Sequence, residues 1–233
     1  MRVGPGGGSA PSRRPPPVRR GGPCIQTSAR TMGTGADAPE GYGMAARKRE
    51  QVRGPERYWP VPAIPRHLPK HGEPGSFWED RGDRRHCGVD LHAPPGSVVV
   101  AMEGGTVVKI GIATSPDTVP YWNLTRSVAI ESGDGRTWRY GELAAALVSE
   151  GDRVAGGQVI GTVGQVLDCG KVDAGSPPYI RDLCARGAAS MLHLELADRL
   201  PVDGGKYLGG NWFGKRDRTF PFRDPAPSLQ DAR

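Results

Sequence analysis

The sequence predicts an all-β fold, an antiparallel β sandwich or open barrel with long loops, preceded by a disordered N-terminal arm. From Cys87 onward, short runs rich in Val, Ile, Thr and Tyr alternate with turn-forming Gly, Pro and Asp, as expected of strands joined by tight turns. The 233 residues include 35 glycines and 23 prolines, and only 36% are hydrophobic. This composition argues against a helix bundle and against one core built from the whole chain.

The predicted arm comprises residues 1–57, and the predicted β domain comprises residues 58–233. The arm holds 11 Lys and Arg against 4 Asp and Glu, whereas the β domain holds 20 against 21. Residues 1–43 of the arm are rich in Gly, Pro and Arg, so they bury too little apolar surface to offset the entropy of ordering and are predicted to be disordered and dispensable for the fold. A basic arm can bind nucleic acid or an anionic surface. Nucleic acid is not the expected partner, because the β domain lacks basic patches interleaved with aromatic residues.

We find neither a candidate membrane-spanning helix nor a recognisable signal peptide in this sequence. The longest apolar runs, such as residues 97–102 and 106–112, are far shorter than the ~20 residues of a membrane-spanning helix. The N-terminus lacks the apolar stretch of about 7–15 residues found in a signal peptide, so the sequence as it stands reads as cytoplasmic. The localisation and the oligomeric state stay open, and so does the question of whether Cys169 pairs with Cys184.

Seven strands are predicted along the β domain. They cover residues 88–91, 97–102, 105–111, 126–132, 136–142, 158–163 and 191–197. Gly133-Asp134-Gly135 lies between two of these strands and is typical of a hairpin turn. Residues 143–150 form the only predicted helix. Residues 164–190 form an insertion long enough to be either functional or disordered.

Two of the five histidines lie in strand-like sequence beside carboxylates. His86 precedes Asp90 by four residues, and His193 precedes Glu195 by two. Alternate residues of a strand share one face, so each pair can point to one side of a sheet. If the two segments meet, His86, Asp90 and His193 form a set of two histidines and one carboxylate. Such a set can bind zinc and leave a fourth position open for water.

The sequence around these pairs contains several longer motifs. The first motif is an H-x-G-x-D segment followed by A-P-x-G and a glycine-containing hairpin, in HCGVDLHAPPGSVVVAMEGGTVVKIG. The second is a later pair of strands, in GDRVAGGQVIGTVG, and the third is a closing strand, in SMLHLELA. In their order they resemble the lysostaphin-like, or LytM-type, zinc metalloendopeptidases of peptidase family M23. The resemblance covers residues 58–229, apart from a first insertion (residues 112–125) and a second insertion (residues 164–190).

The resemblance implies an antiparallel β domain that carries one zinc ion and hydrolyses peptide bonds in peptidoglycan cross-links. It assigns the zinc ligands to His86, Asp90 and His193. Glu195, on the same strand as His193, is then either a partner of that histidine or an exposed residue of an edge strand. Members of the family are usually exported.

The sequence departs from the family at both histidines that normally flank the zinc-bound water. Met191 stands in place of one and Glu142 in place of the other. Methionine cannot accept a proton, whereas glutamate is the general base of the unrelated H-E-x-x-H peptidases. Either Glu142 has become the base, or the protein is a catalytically inactive, zinc-containing module that binds cell-wall glycopeptide or a protein partner.

Two further residues are candidates for substrate binding. Tyr140 lies two residues before Glu142, so its hydroxyl could face the same cleft and hydrogen-bond an oxyanion, or its ring could pack within the sheet. His92 lies two residues after Asp90 and shares its predicted face, so it could line the substrate groove.

Overall fold

The computed structural model describes residues 56–82, 84–203, 206–207, 210–212 and 221–233. The predicted arm lies outside these residues apart from its last two, so its disorder stays a prediction. Arg57, the last residue of that segment, contacts the β domain: its Nε donates to the buried carboxylate of Glu103 at 2.7 Å.

In its described residues the β domain consists of strands with two α-helices, which confirms the all-β prediction. No helix in the described part of the chain is long and apolar enough to cross a membrane. The helices are α1 (Pro178–Ala185) and α2 (Ala226–Gln230). The strands are β1 (Arg85–His86), β2 (Val89–His92), β3 (Val98–Val100), β4 (Gly105–Thr114), β5 (Thr125–Ser132), β6 (Thr137–Ala146), β7 (Arg153–Val154), β8 (Val159–Gln165), β9 (Ser190–Ala197), β10 (Val202–Asp203), β11 (Lys206–Tyr207), β12 (Asn211–Trp212) and β13 (Phe222–Arg223).

One curled antiparallel sheet organises the domain. Its strands follow the order β13-β9-β8-β6-β5-β4-β7, β2 pairs with β9, β3 pairs with β8, and β6 also pairs with β9. Alternation along β9 divides its side chains between two faces. Leu192, Leu194 and Leu196 enter the hydrophobic core. His193 and Glu195 therefore point to the opposite face, where the candidate site lies.

The predicted helix at residues 143–150 is wrong. Strand β6 continues through Ala146, and Leu143 pairs with Arg126 of β5 and with Val163 of β8. The alanine- and leucine-rich sequence favours a helix locally. Neighbouring strands on both sides satisfy its backbone hydrogen bonds and hold it extended.

The second insertion is folded. It contains α1 and a short 3₁₀ turn over Cys169–Lys171. Cys169 and Cys184 form a disulfide, with their Cα atoms 5.6 Å apart, which answers the question that the sequence left open. The insertion also has its own apolar cluster, in which Ile180 of α1 packs with Val166 and Leu167.

Candidate active site

The fold brings together the three side chains that the sequence singled out as metal ligands. The β2–β9 ladder pairs Asp90 directly with His193, and His86 ends β1 just ahead of β2. His86 Nε2 lies 3.0 Å from His193 Nδ1 and 3.2 Å from Asp90 Oδ1. Asp90 Oδ1 lies 2.8 Å from His193 Nδ1. Three potential ligand atoms therefore form a nearly equilateral triangle, and all three side chains are buried.

The triangle has the size and chemistry of a zinc site. Zinc bound tetrahedrally at about 2.0–2.1 Å places its ligand atoms roughly 3.3–3.4 Å apart. The edges of the triangle, at 2.8–3.2 Å, are slightly shorter, so a small outward movement of the side chains would accommodate the ion. Two imidazole nitrogens and a carboxylate oxygen are ligands that zinc prefers, and three protein ligands leave one position for water or substrate. The residues therefore fit the zinc that the sequence predicts.

Both histidines are oriented by a hydrogen bond on the ring nitrogen that faces away from the triangle. His86 Nδ1 lies 2.8 Å from the carbonyl oxygen of Ser76. A carbonyl can only accept, so Nδ1 carries the proton and Nε2 offers its lone pair to the triangle. His193 Nε2 donates to Glu195 Oε1 at 2.7 Å, which leaves Nδ1 facing Asp90. Such outer hydrogen bonds fix the tautomer and the ring orientation of metal-binding histidines.

Glu195 is buried rather than exposed on an edge strand. It is 1% exposed, and besides His193 it accepts from Arg139 Nη1 at 3.2 Å and from the backbone N–H of Gly210 at 2.5 Å. Of the two roles that the sequence left open, this environment favours the partner of His193.

Arg81 is a site residue that the sequence analysis missed. Its Nη2 donates to Asp90 Oδ2 at 3.0 Å, and its Nε donates to Glu79 at 3.2 Å. The Asp90 carboxylate is thus held by one oxygen while the other oxygen faces the histidines. Arg81 lies in a charged loop with no strand or helix periodicity, so nothing in its local sequence indicates this contact.

The glycine of the H-x-G-x-D motif, Gly88, lies where the chain passes very close to β9. A Cβ atom at this position would lie 2.4 Å from the carbonyl oxygen of Leu194 and 3.0 Å from the His193 ring. Only glycine lets the chain entering β2 approach β9 this closely. The contact is what brings Asp90 to His193.

A β-bulge in β6 turns Glu142 toward the site. Tyr140 pairs with Val128 and Leu143 pairs with Arg126, so β6 has one more residue than β5 over this stretch. Glu142 absorbs the extra residue with a positive φ of 65°, a backbone conformation that is rare outside glycine. Its half-buried side chain consequently lines the same cavity as Asp90 and His193.

The structure corrects the prediction for Tyr140. Because the bulge breaks the alternation of side chains, Tyr140 and Glu142 point to opposite faces. Tyr140 is fully buried in the core, and its hydroxyl accepts a hydrogen bond from the backbone N–H of Met102 at 2.7 Å. It is a packed strand tyrosine and cannot contact substrate.

His92 lies at the margin of the site. It shares a strand face with Asp90, as predicted, but it is exposed. It lines an adjoining cavity that reaches Asp90 and includes His67 and Arg186. A role in binding substrate stays a prediction.

Burial and charge set the protonation of the cluster. Burial lowers the pKa of His86 below its usual value. Burial acts in the same direction on His193, but hydrogen bonds to Asp90 and Glu195 outweigh it and raise the pKa of His193 to about 10. Burial alone would raise the pKa of Asp90, yet the neighbouring histidines hold it well below its usual range.

The Glu142 carboxyl has the opposite environment to that of Asp90. Burial and then the negative charge of Asp90 raise the pKa of Glu142 to about 7. Its Oε2 atom is shielded from solvent and has no hydrogen-bond partner among the described residues. A carboxyl in this state can both take up and release a proton near neutral pH.

The site opens into a cavity of about 270 Å³. Asp90, Glu142 and His193 lie on its wall together with Arg81 and Met191. Met191, two residues before His193 on β9, points to the same face, as the sequence predicted for the position that holds a histidine in the family.

Comparison with known proteins gives a family match over part of the chain. Residues 84–172 match the sequence profile of peptidase family M23. No match was found among curated proteins.

Thirty-six chains of solved structures are similar to this one. The catalytic domain of lysostaphin from Staphylococcus simulans is 20% identical, with a TM-score of 0.41 and coverage of 68% of this chain and 90% of that domain. A prophage-encoded M23 protein, EnpA from Enterococcus faecalis, is 23% identical over its catalytic domain, with a TM-score of 0.39 and coverage of 61% and 93%. A zinc-containing peptidase from Vibrio cholerae is 25% identical, with a TM-score of 0.41 and coverage of 66% and 40%. This chain covers 44% of a longer lysostaphin chain.

Proposed function

We propose that this chain, whose residues 84–172 match peptidase family M23, is a zinc-dependent endopeptidase that hydrolyses peptide bonds in peptidoglycan cross-links. The observation that carries this proposal is the buried triangle of His86 Nε2, Asp90 Oδ1 and His193 Nδ1. Two of its three members, Asp90 and His193, also line an open cavity. The choice of peptidoglycan rests on the family resemblance of the motifs.

In this proposal His86, Asp90 and His193 hold the zinc ion. Zinc in such a site polarises a scissile carbonyl and lowers the pKa of a water ligand toward ~7. The negative charge of Asp90 balances part of the charge of the ion. The hydrogen bonds of His86 to Ser76 and of His193 to Glu195 keep His86 Nε2 and His193 Nδ1 aimed at one point. Because the pKa of His193 is raised to about 10 in the metal-free protein, zinc binding would displace a proton from His193 Nδ1.

Glu142 acts as the general base. Its Oε2 takes a proton from the attacking water and then delivers that proton to the nitrogen of the leaving amine. Two features support this role: its carboxylate lines the cavity, and Oε2 lacks a hydrogen-bond partner among the described residues. Met191 cannot replace it, because a thioether does not take up protons at neutral pH.

Met191 also motivates the alternative of an inactive, zinc-containing module that binds cell-wall glycopeptide or a protein partner. Its side chain is buried in the apolar cluster of the second insertion, where the family has a histidine. If Glu142 does not compensate for that histidine, loss of acid–base catalysis would cost about 10²–10⁴-fold in rate.

One experiment separates the two functions. The metal content of the purified protein is measured, and peptide release from purified cell wall is followed with and without a chelator. We expect about one zinc per chain and release that stops with chelator. Zinc without release would favour the binding module. His193→Ala should lose most of the zinc, and an unchanged zinc content would contradict the assignment of this ligand.

Glu142→Gln tests the general base. The amide keeps the shape of the side chain but cannot accept the proton, so turnover should fall by at least about 100-fold while zinc stays bound. Glu131→Gln is the matched control, because Glu131 is an exposed carboxylate on β5. Unchanged turnover in Glu142→Gln would remove this residue from the mechanism.

A further inference from the structure

The two insertions that separate this sequence from the family pattern meet in the structure. Trp122 of the first insertion forms a β-bridge with Leu167 of the second. The N–H of Asn123 donates to the carbonyl oxygen of Val166 at 2.8 Å. Segments about 45 residues apart in the chain therefore form one continuous surface, which we call the insertion wall.

The insertion wall lines the same cavity as the candidate metal ligands. Asp90, Glu142 and His193 supply its polar end. Most of the other lining residues are apolar, and they include Ile112, Trp122, Leu167, Ile180, Leu183 and Met191. Thr114, Arg139 and Tyr179 are polar members of the same lining.

A disulfide at one end of α1 and noncovalent contacts of Tyr179 at the other end hold the insertion wall in place. The Cys169–Cys184 disulfide ties the C-terminal part of α1 to the start of the second insertion. At the other end of α1, Arg84 Nη2 donates to the Tyr179 hydroxyl at 2.5 Å, and the Arg81 guanidinium lies 5.2 Å from the centre of the Tyr179 ring. A preformed wall of this kind costs a ligand little ordering entropy on binding.

The two arginines that line the cavity form ion pairs with carboxylates of the site. Arg81 is paired with Asp90 and Glu79, and Arg139 is paired with Glu195. The side chains that the insertion wall presents to a ligand are therefore uncharged and mostly apolar, with the Thr114 and Tyr179 hydroxyls beside them.

We propose that the insertion wall forms a specificity subsite that takes one bulky apolar side chain of the peptide substrate, next to the scissile bond. The inference rests on the proposed function, since it needs a peptide at the metal ligands. The subsite is continuous with these ligands, so its occupant must belong to a residue flanking the bond at the site. A cavity of about 270 Å³ is just below the ~300–1,000 Å³ of pockets for drug-sized ligands, which suits one large side chain and its backbone.

Cleavage of a peptide library tests the subsite. Short peptides that vary at a single position are incubated with the zinc-loaded protein, and mass spectrometry locates the cleaved bond. We expect Leu, Met or Phe on one side of that bond, favoured over Ala by at least about tenfold in kcat/KM, since even one methylene in an apolar pocket is worth about 10–200-fold. Equal cleavage of Ala and Leu peptides, or a preference for charged residues, would overturn the subsite and leave the peptidase intact.

Two matched variants connect the preference to the insertion wall. Ile112→Ala removes an apolar side chain of the cavity that is 62% exposed, so the fold does not depend on it. Leu147→Ala removes a side chain that is 59% exposed and lies outside the cavity. We expect Ile112→Ala to lower kcat/KM for the Leu peptide but not for the Ala peptide, and Leu147→Ala to change neither. Equal effects of the two variants would contradict the assignment.

A binding measurement separates failure of the subsite from failure of the peptidase proposal. Affinity of the Leu and Ala peptides for the Glu142→Gln variant is measured by calorimetry. Tighter binding of the Leu peptide supports the subsite even if the native protein cleaves nothing. Binding with no preference refutes the subsite whether or not cleavage occurs.

Discussion

Glu195 is expected to control metal affinity through the orientation of His193. The carboxylate accepts from His193 Nε2 at 2.7 Å and is buried, so water cannot easily replace it. Loss of an outer partner of this kind typically weakens metal binding by about 10–100-fold, which corresponds to roughly 1.4–2.7 kcal/mol. Glu195→Ala removes both the acceptor and the charge and should lie near the upper end. Glu195→Gln keeps an acceptor oxygen and should lie near the lower end.

The assay is a zinc competition titration against a chromophoric chelator at fixed pH, with circular dichroism to verify folding. Arg139→Gln is the informative control. It removes the 3.2 Å ion pair between Arg139 and Glu195 but keeps the partner of His193. We expect it to lower stability and to leave zinc affinity within a few-fold of the native value. Native affinity in Glu195→Ala, or an equal loss in Arg139→Gln, would refute the argument that Glu195 acts by orienting His193.

Three further predictions concern the fold around the site. Gly88→Ala should destabilise the protein by about 1–3 kcal/mol and lower its zinc content, because the added Cβ would lie 2.4 Å from a backbone oxygen of β9. The control is Gly133→Ala, whose added Cβ meets no atom within 4 Å. Denaturant unfolding and metal analysis should show no change in stability or zinc content for this control. Replacing both Cys169 and Cys184 by Ser opens a disulfide that spans 15 residues and should cost up to ~3 kcal/mol, or up to ~12 °C in Tm; an unchanged Tm on thermal unfolding would show that the second insertion melts separately. A chain that begins at Met44 should keep the Tm of the full chain, and a clearly lower value would mean that the removed residues pack on the β domain.

The all-β class and the candidate metal ligands could be predicted from the sequence because both depend on local alternation. In SMLHLELA, leucines alternate with Met191, His193 and Glu195. The structure buries the leucines in the core, turns Met191 and His193 to the cavity, and places Glu195 in contact with His193. Family motifs then linked this strand to the H-x-G-x-D segment about a hundred residues earlier, a contact that spacing alone does not specify.

Contacts between distant segments decided what the sequence could not. Alternation predicted one face for Tyr140 and Glu142, but the extra residue in β6 opposite β5 forms a bulge that buries the tyrosine and turns the glutamate to the cavity. The helix expected at residues 143–150 is a strand because its neighbours on both sides are strands. Local sequence encodes which residues alternate, whereas the register of two strands depends on how their partners pack.

The insertions and Arg81 show the same limit. Neither insertion has a repeating pattern, and their apolar residues acquire a common role only where Trp122 meets Leu167. Arg81 reaches Asp90 from an irregular loop. The sequence by itself determined the strands and the residue types of the site, because these follow from periodicity and motif. The position of the bulge, the disulfide pairing and the wall of the cavity are seen only in the tertiary structure. Each depends on a contact between distant segments, and the local sequence of one segment does not indicate which other segment it contacts.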